Sequence, residues 1–131
     1  MASREPKTPG PDHPITIEKT GQRVLARVGD RVVADTARAL TLREADYPPV
    51  HYIPLDDVDQ TLLTPTETQT YCPYKGDASY YSIDLDGSGG ASSSSLTDAV
   101  WSYREPYEAV APIAGHVAFY TDRVTVETTS A

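Results

Sequence analysis

The stretch Arg23-Val24-Leu25-Ala26-Arg27-Val28-Gly29-Asp30-Arg31-Val32-Val33-Ala34 indicates the fold class of this chain. Two apolar segments rich in valine flank the dipeptide Gly29-Asp30. This dipeptide is typical of the two-residue turn of a β-hairpin, because glycine accepts the positive φ that the turn requires. The stretch therefore predicts two antiparallel strands, and it is the strongest local signal in the sequence.

The two-residue periodicity of this hairpin recurs along the rest of the chain. Further short strands are predicted at residues 15–17, 39–43, 50–53, 66–71, 78–85, 99–103, 116–120 and 123–127. The last two would form a closing hairpin around Thr121-Asp122. Glycine and proline separate these segments and leave room for only one or two short helical turns. We therefore predict an all-β fold, a small antiparallel β sandwich or barrel.

The length of 131 residues fits a single domain. Residues 1–14 contain four prolines and almost no apolar residue, so they predict a disordered N-terminal arm. Residues 15–127 would form the β domain. Within it, residues 86–95 are rich in glycine and serine and predict a flexible loop, and residues 128–131 predict a tail.

The chain is acidic: 11 basic and 19 acidic side chains give a net charge of -8 and a pI near 4.7. This charge repels phosphate, so we expect neither nucleic acid nor an anionic membrane as a partner. A single cysteine excludes an internal disulfide framework and a multi-thiolate zinc site, and we expect no metal and no cofactor. The chain lacks an apolar run of about 20 residues and an apolar stretch at its start, which predicts a cytoplasmic protein.

The densest group of chemically active side chains lies in Tyr71-Cys72-Pro73-Tyr74-Lys75-Gly76-Asp77-Ala78-Ser79-Tyr80-Tyr81. This stretch contains four of the nine tyrosines and the only cysteine. Pro73 fixes φ and Gly76 permits unusual backbone angles. Residues 72–76 therefore predict a shaped connection between two strands, the kind of segment on which functional side chains are often placed.

Three side chains of this connection are candidate catalytic residues: Lys75, Tyr74 and Cys72. Lys75 would face a ligand as a cation or, if desolvated, as an amine of lowered pKa. A tyrosine hydroxyl, such as that of Tyr74, would move the proton. Cys72 needs a base or a positive field to act as a nucleophile, which Lys75, His51 or His116 could supply; the alternative is a small buried residue.

Five aromatic residues are candidate walls of a ligand pocket: Tyr52, Tyr71, Tyr81, Trp101 and Tyr103. An aromatic wall beside one positive group suits a small organic anion such as a carboxylate or an enolate. We therefore expect a small-molecule-binding domain or a small enzyme. Two alternatives stay open: the tyrosines only pack in the sheet while Lys75 points to water, or the chain is a non-catalytic module that binds a protein partner.

The sequence resembles the family catalogued as domain of unknown function 427. The resemblance rests on Val32-Val33-Ala34-Asp35-Thr36, Leu42-Arg43-Glu44, Tyr52-Ile53-Pro54, Tyr71-Cys72-Pro73-Tyr74-Lys75-Gly76, Trp101-Ser102-Tyr103 and the closing residues 113–120. It implies a small, largely antiparallel β protein, similar to the beta-tent folds of methionine sulfoxide reductase B and the thalidomide-binding domain of cereblon. It brings no established chemistry for the matched residues.

The family that this sequence resembles has also been given a nucleotidyltransferase-like name. Asp84 and Asp86 imitate the paired aspartates of such enzymes, and two carboxylates at this spacing can hold a divalent cation. The sequence lacks the Gly-Ser pair that precedes the aspartates in that motif. Metal-assisted nucleotidyl transfer is therefore the third hypothesis for function.

Overall fold

The computed structural model describes residues 9–11, 13–84 and 95–129, with only the backbone at Ser95. The described residues form ten strands in two antiparallel sheets. The strands are β1 (Ile15–Lys19), β2 (Arg23–Val28), β3 (Arg31–Thr36), β4 (Leu40–Glu44), β5 (Val50–Pro54), β6 (Leu63–Cys72), β7 (Gly76–Asp84), β8 (Ser95–Ser102), β9 (His116–Phe119) and β10 (Thr125–Thr129). The predicted all-β fold is confirmed.

The helical content is limited to short 3-10 turns. The described residues contain three of them, at Leu55–Asp57, Gln60–Leu62 and Glu108–Ile113, where the sequence predicted one or two. Within the same residues, no helix is long and apolar enough to cross a membrane.

The two sheets form an open sandwich, not a closed barrel. The larger sheet has the strand order β1-β4-β5-β9-β8-β7-β6, and the smaller has the order β10-β2-β3. Side chains from both sheets share one apolar cluster, which includes Val24, Val33, Ile53, Val100 and Val117. The smaller sheet therefore covers one face of the larger, and the core lies between them.

The opposite face of the seven-stranded sheet carries a second cluster that is rich in aromatic residues. Tyr52, Tyr80 and Tyr103 are buried there, and Trp101 packs against them half-buried. Val110 and Ile113 of the last 3-10 turn cover part of this face. The segregation follows from strand geometry, because successive side chains point to opposite faces of a sheet.

Two of the three predicted strand connections are confirmed. Val28 pairs with Arg31 around Gly29, whose φ is 59°, as the hairpin of β2 and β3 requires. Cys72 pairs with Gly76 where the shaped connection joins β6 to β7. The predicted closing hairpin around Thr121-Asp122 is wrong, because β9 pairs with β5 and β8 while β10 pairs with β2 in the other sheet.

The predicted flexible segments fall partly outside the described residues. The structure does not describe residues 1–8, residue 12, most of the predicted loop at 86–95, or the last two residues of the predicted tail. Where the predicted arm is described, Gly10 and His13 exchange backbone hydrogen bonds of 3.3 and 2.9 Å. Thr128 and Thr129 of the predicted tail belong to β10.

An aspartate shapes an irregularity in β8. Asp98 has a φ of 52°, an angle that is uncommon outside glycine, and the register of β8 against β7 shifts there. The hydroxyls of Thr66 and Thr68 donate hydrogen bonds of 2.7 and 2.6 Å to its carboxylate. These two bonds hold the pKa of Asp98 below its ordinary value, and they outweigh the opposing effect of burial.

We predict that Asp98→Ala lowers the free energy of unfolding by about 2 kcal/mol and that Asp98→Asn lowers it by about 1 kcal/mol. Alanine loses both hydrogen bonds and is strained at this φ, whereas asparagine tolerates the angle. Because folding lowers the pKa of Asp98, its contribution is complete above the ordinary aspartate pKa of 3.8 and is lost as the pH falls through the lowered value. The cost of Asp98→Ala in urea denaturation should therefore shrink on acidification.

The control for this prediction is the exposed Glu67, which lies between the two threonines. Glu67→Ala should leave the unfolding midpoint unchanged. An equal loss of stability in the Glu67 and Asp98 variants would contradict the assigned role of the Asp98 carboxylate.

Candidate functional site

The aromatic face brings Trp101 and Tyr52 together across three strands. Trp101 pairs with Ala118 of β9, and the indole Nε1 donates a hydrogen bond of 3.2 Å to the Tyr52 hydroxyl on β5. The two rings meet edge to face at 6.4 Å. The small side chain of Ala118 leaves the space above β9 in which they meet. The indole is therefore held in one orientation by a buried partner.

The connection between β6 and β7 directs Lys75 toward this face. The Lys75 amide donates to the Cys72 carbonyl at 3.2 Å, and the Lys75 carbonyl accepts from the Tyr107 amide at 3.0 Å. Gly76 has a φ of 109°, and a Cβ there would lie 3.5 Å from the Glu105 carbonyl. The turn is thus fixed by its own hydrogen bonds and by the chain that follows β8.

The Lys75 ammonium forms an ion pair with Glu44. The distance from Nζ to Oε1 is 2.5 Å, and the two side chains are only 13% and 12% exposed. The ammonium also lies 5.7 Å from the centroid of the Tyr103 ring. The predicted cation is therefore inside the protein among aromatic rings, and a carboxylate already balances its charge.

This ion pair connects two distant strands of the seven-stranded sheet across its aromatic face. Glu44 is on β4, and Lys75 precedes β7, four strands away in the sheet order. At about 4.8 Å between neighbouring strands, a flat sheet would hold them about 19 Å apart, beyond the combined reach of the two side chains. The sheet must curl, and the turn after Cys72 must lean over its face.

His13 adds a second contact to the same carboxylate. Its Nε2 is 2.7 Å from Glu44 Oε2, and its ring stacks on Tyr74 with centroids 4.0 Å apart and planes 7° apart. The Tyr47 ring also approaches His13, edge to face, with ring centroids separated by 6.5 Å. His13 thus connects the chain before β1 to Glu44 and to Tyr74.

We define the polar cluster as His13, Glu44, Lys75, Tyr74 and Tyr103. Burial alone would raise the pKa of Glu44, but the hydrogen bonds from Lys75 and His13 outweigh it and leave the pKa below its ordinary value. Burial raises the pKa of Tyr103 far above its ordinary range. Glu44 is therefore ionised and Tyr103 neutral at pH 7.

A groove of about 450 Å³ opens beside this cluster. It forms where β5 and β9 separate, since these strands pair only at Ile53 with Val117 and at Pro54 with His116. Its walls are mostly aromatic, proline and valine side chains: Tyr47, Pro48, Pro49, Val50, His51, Trp101, Phe119, Tyr120, Thr121 and Val126. We call it the aromatic groove.

Two polar groups of the aromatic groove, those of His51 and Tyr120, are neutral at pH 7. Burial, with a smaller effect of Arg43, lowers the pKa of His51, whose Nδ1 lies 3.1 Å from the Thr41 hydroxyl. Burial also raises the pKa of Tyr120 to about 12, and its hydrogen bond with Tyr80 acts in the same direction. At pH 7 the groove therefore offers an imidazole and a phenol, both without charge.

The structure brings together six of the eight predicted site residues. Lys75, Tyr74, Cys72, Tyr52, Trp101 and Tyr103 lie in or around the second apolar cluster, the polar cluster or the aromatic groove. Cys72 is half-buried, and Tyr52 is buried, which raises the Tyr52 pKa to about 12. Their roles in binding or catalysis stay predictions.

The other two predicted residues lie elsewhere. Tyr81 packs against the core between the sheets and accepts a 3.3 Å hydrogen bond from Arg104. The Tyr71 hydroxyl is 2.9 Å from that of Tyr107. Strand alternation explains both positions, because each is adjacent to a residue that faces the aromatic cluster, Tyr80 or Cys72.

The sequence analysis missed Glu44, His13, Tyr47 and Tyr120. A signal for Glu44 was present, because Leu40, Leu42 and Glu44 alternate and a carboxylate on the apolar face of a strand requires a buried partner. Nothing local in the sequence marks Tyr47 or Tyr120, because the groove depends on how β5 and β9 separate.

The remaining candidates from the sequence are not part of this site. His116 Nδ1 bonds the Ala114 carbonyl at 2.9 Å. Asp84 is buried at the end of β7, and Asp86 lies outside the described residues. Within the part of the chain that the structure describes, no three His, Cys, Asp or Glu side chains are grouped as metal ligands.

The family described as a domain of unknown function (DUF427) matches residues 16–130. The chain belongs to this family. The match contains both partners of the Glu44–Lys75 pair and every residue of the aromatic groove, while His13 precedes it. No curated protein matches the DUF427 chain.

We predict that Lys75→Met and Glu44→Gln each lower the free energy of unfolding by about 3 kcal/mol, because each leaves a mostly buried charge without its partner. The double variant should lose less than the sum of the two. Urea denaturation of all four proteins gives the coupling energy of the pair.

The matched control is the exposed pair of Arg23 and Asp35, which lies on the smaller sheet. The corresponding variants Arg23→Met and Asp35→Asn should leave the unfolding midpoint nearly unchanged, because surface ion pairs contribute little. Additive losses at Lys75 and Glu44 would contradict the buried ion pair.

Proposed function

We propose that this DUF427 domain binds a small organic molecule in the aromatic groove. The observation that supports the proposal is a concave site of about 450 Å³ with an indole in its wall. Its size lies within the range of about 300–1,000 Å³ that is usual for small-molecule sites, and its walls are largely apolar as such sites require.

The aromatic rings of the groove are already ordered to receive a planar or branched organic group. Trp101 is fixed by its bond to Tyr52, and Tyr120 packs against it with ring centroids 4.6 Å apart. Because these rings are already ordered, a ligand would lose little affinity to the ordering of side chains.

Lys75 is the positively charged group that we propose would attract an anionic ligand. It lies next to the groove but does not line it. The groove reaches the polar cluster through Tyr47, which lies beside His13. An ammonium has three N–H donors, and among the described residues its one acceptor is Glu44. An anionic ligand would therefore share Lys75 with Glu44, and a reaction would use Lys75 to polarise the ligand and Glu44 with His13 to move a proton.

A second candidate function is a non-catalytic protein-interaction module. The rim of the groove favours it, since Tyr47 is 65% exposed and is followed by Pro48 and Pro49. Tyrosine supplies large contact area at protein interfaces. The cytoplasmic location predicted from the sequence is compatible with either candidate function.

We predict that small aromatic and heteroaromatic compounds shift the amide NMR signals of Tyr47, Val50, His51 and residues 119–121 together with the Trp101 indole signal. Trp101→Leu should abolish these shifts, because it removes the largest wall of the groove. Tyr47→Ser should weaken binding severalfold, and this exposed position leaves folding intact.

Val32→Ala is the matched control, because Val32 is 44% exposed on the smaller sheet and should not change binding. Binding that persists in Trp101→Leu, or shifts that map elsewhere on the surface, would contradict the groove as the ligand site. A protein that captures the domain through Tyr47 while no small compound binds would favour the interaction module.

A further inference from the structure

We infer that the aromatic groove selects an organic cation, namely an N-methylated ammonium group held by cation–π contacts with Trp101 and Tyr47. This inference rests on the proposed function and names its ligand class. It keeps the groove as the site and replaces the anionic ligand considered for Lys75 with a cation, because Lys75 lies outside the groove and the walls contain no lysine or arginine.

The protein already places cations over its aromatic rings. Lys75 lies 5.7 Å from the Tyr103 centroid, Arg104 lies 5.8 Å from that of Tyr81, and Arg123 lies 5.6 Å from that of Tyr120. Three such contacts in the described residues exceed the usual frequency of about one per 70–80 residues. Cation–π attraction is therefore a recurrent interaction of this fold.

Two rings of the groove differ from these three. No lysine or arginine among the described residues lies over Trp101 or Tyr47. Tryptophan attracts cations more strongly than tyrosine or phenylalanine. The strongest cation–π ring of the protein therefore lines the groove without a lysine or arginine of the described chain over it.

The charges around the groove permit a cation to enter. Asp46 precedes Tyr47, and Asp122 lies close enough to Tyr120 to raise its pKa. Two arginines oppose them: Arg43 acts on His51, and Arg123 lies over Tyr120. The Arg123 guanidinium also donates hydrogen bonds of 2.5 and 3.0 Å to the Thr97 and Asp98 carbonyls, which fix its position beside Tyr120.

The competition between charges also favours a cation. An anion must share Lys75 with Glu44, an ion pair that is almost fully buried. A cation displaces no such pair, and neutral His51 adds no repulsion. The overall charge of -8 attracts it from a distance.

The composition of the walls selects the type of cation. A primary ammonium needs three hydrogen-bond acceptors when it leaves water, and the rings, prolines and valines that make up most of the walls carry few side-chain acceptors. An N-methylated ammonium has few or no N–H groups to satisfy, and its methyl groups fit apolar walls. Its recognition by aromatic rings is a general use of the cation–π interaction.

The test compares choline with its uncharged isostere, in which a tert-butyl group replaces the trimethylammonium group. Both are titrated into the full chain, and the Trp101 indole signal is followed by NMR. We expect choline to bind about fivefold more tightly or better, because only the cation gains from the rings. Tyr47→Leu should reduce this preference because one of the two rings is lost, whereas Tyr47→Phe, which keeps a ring, should retain more of it.

Equal binding of choline and the isostere, or tighter binding of benzoate than of choline, would overturn the inference. The proposed function would then still stand, because a ligand occupies the groove. Choline that binds without shifting Trp101, or that fails to bind while aromatic compounds do, also overturns the inference alone. If no compound shifts Trp101, both the inference and the proposed function fall.

Discussion

The ion pair between Glu44 and Lys75 joins two strands that a flat sheet would keep far apart. Its formation requires the seven-stranded sheet to curl over its aromatic face. That face in turn contains the rings that orient Trp101 and shield the ammonium. A single electrostatic contact between distant strands thus couples the shape of the sheet to the arrangement of its aromatic side chains.

The curl and the aromatic groove are two results of the same architecture. The smaller sheet packs against one face of the larger sheet. Within the larger sheet, β5 and β9 pair at only two positions. Beyond those positions the strands separate, and residues from both strand ends line the opening. The aromatic groove therefore arises from a gap within the sheet. The polar cluster lies next to it because His13 contacts Glu44 and Tyr47.

Local signals in the sequence predicted the local features of the fold. The turn at Gly29 was predictable because glycine accepts the positive φ that a two-residue turn requires. The connection from Cys72 to Gly76 was predictable because Pro73 fixes φ and Gly76 permits unusual backbone angles. Partner choice across the fold is not local. Residues 116–120 and 123–127 both have strand periodicity, but a turn at Tyr120 passes the chain from one sheet to the other. The partner of Lys75 lies 31 residues before it, so the sequence predicted a shielded ammonium without its carboxylate.

The pKa of the Glu44 carboxyl in solution, measured by carbon NMR titration of the side chain, tests the central ion pair most directly. The structure predicts a value below the ordinary glutamate pKa of 4.5, because Lys75 and His13 together outweigh burial. In Lys75→Met the pKa should rise, since burial then opposes ionisation with less compensation. A Glu44 pKa at or above 4.5 in the wild-type protein, unchanged in Lys75→Met, would contradict the ion pair and the curled sheet that depends on it.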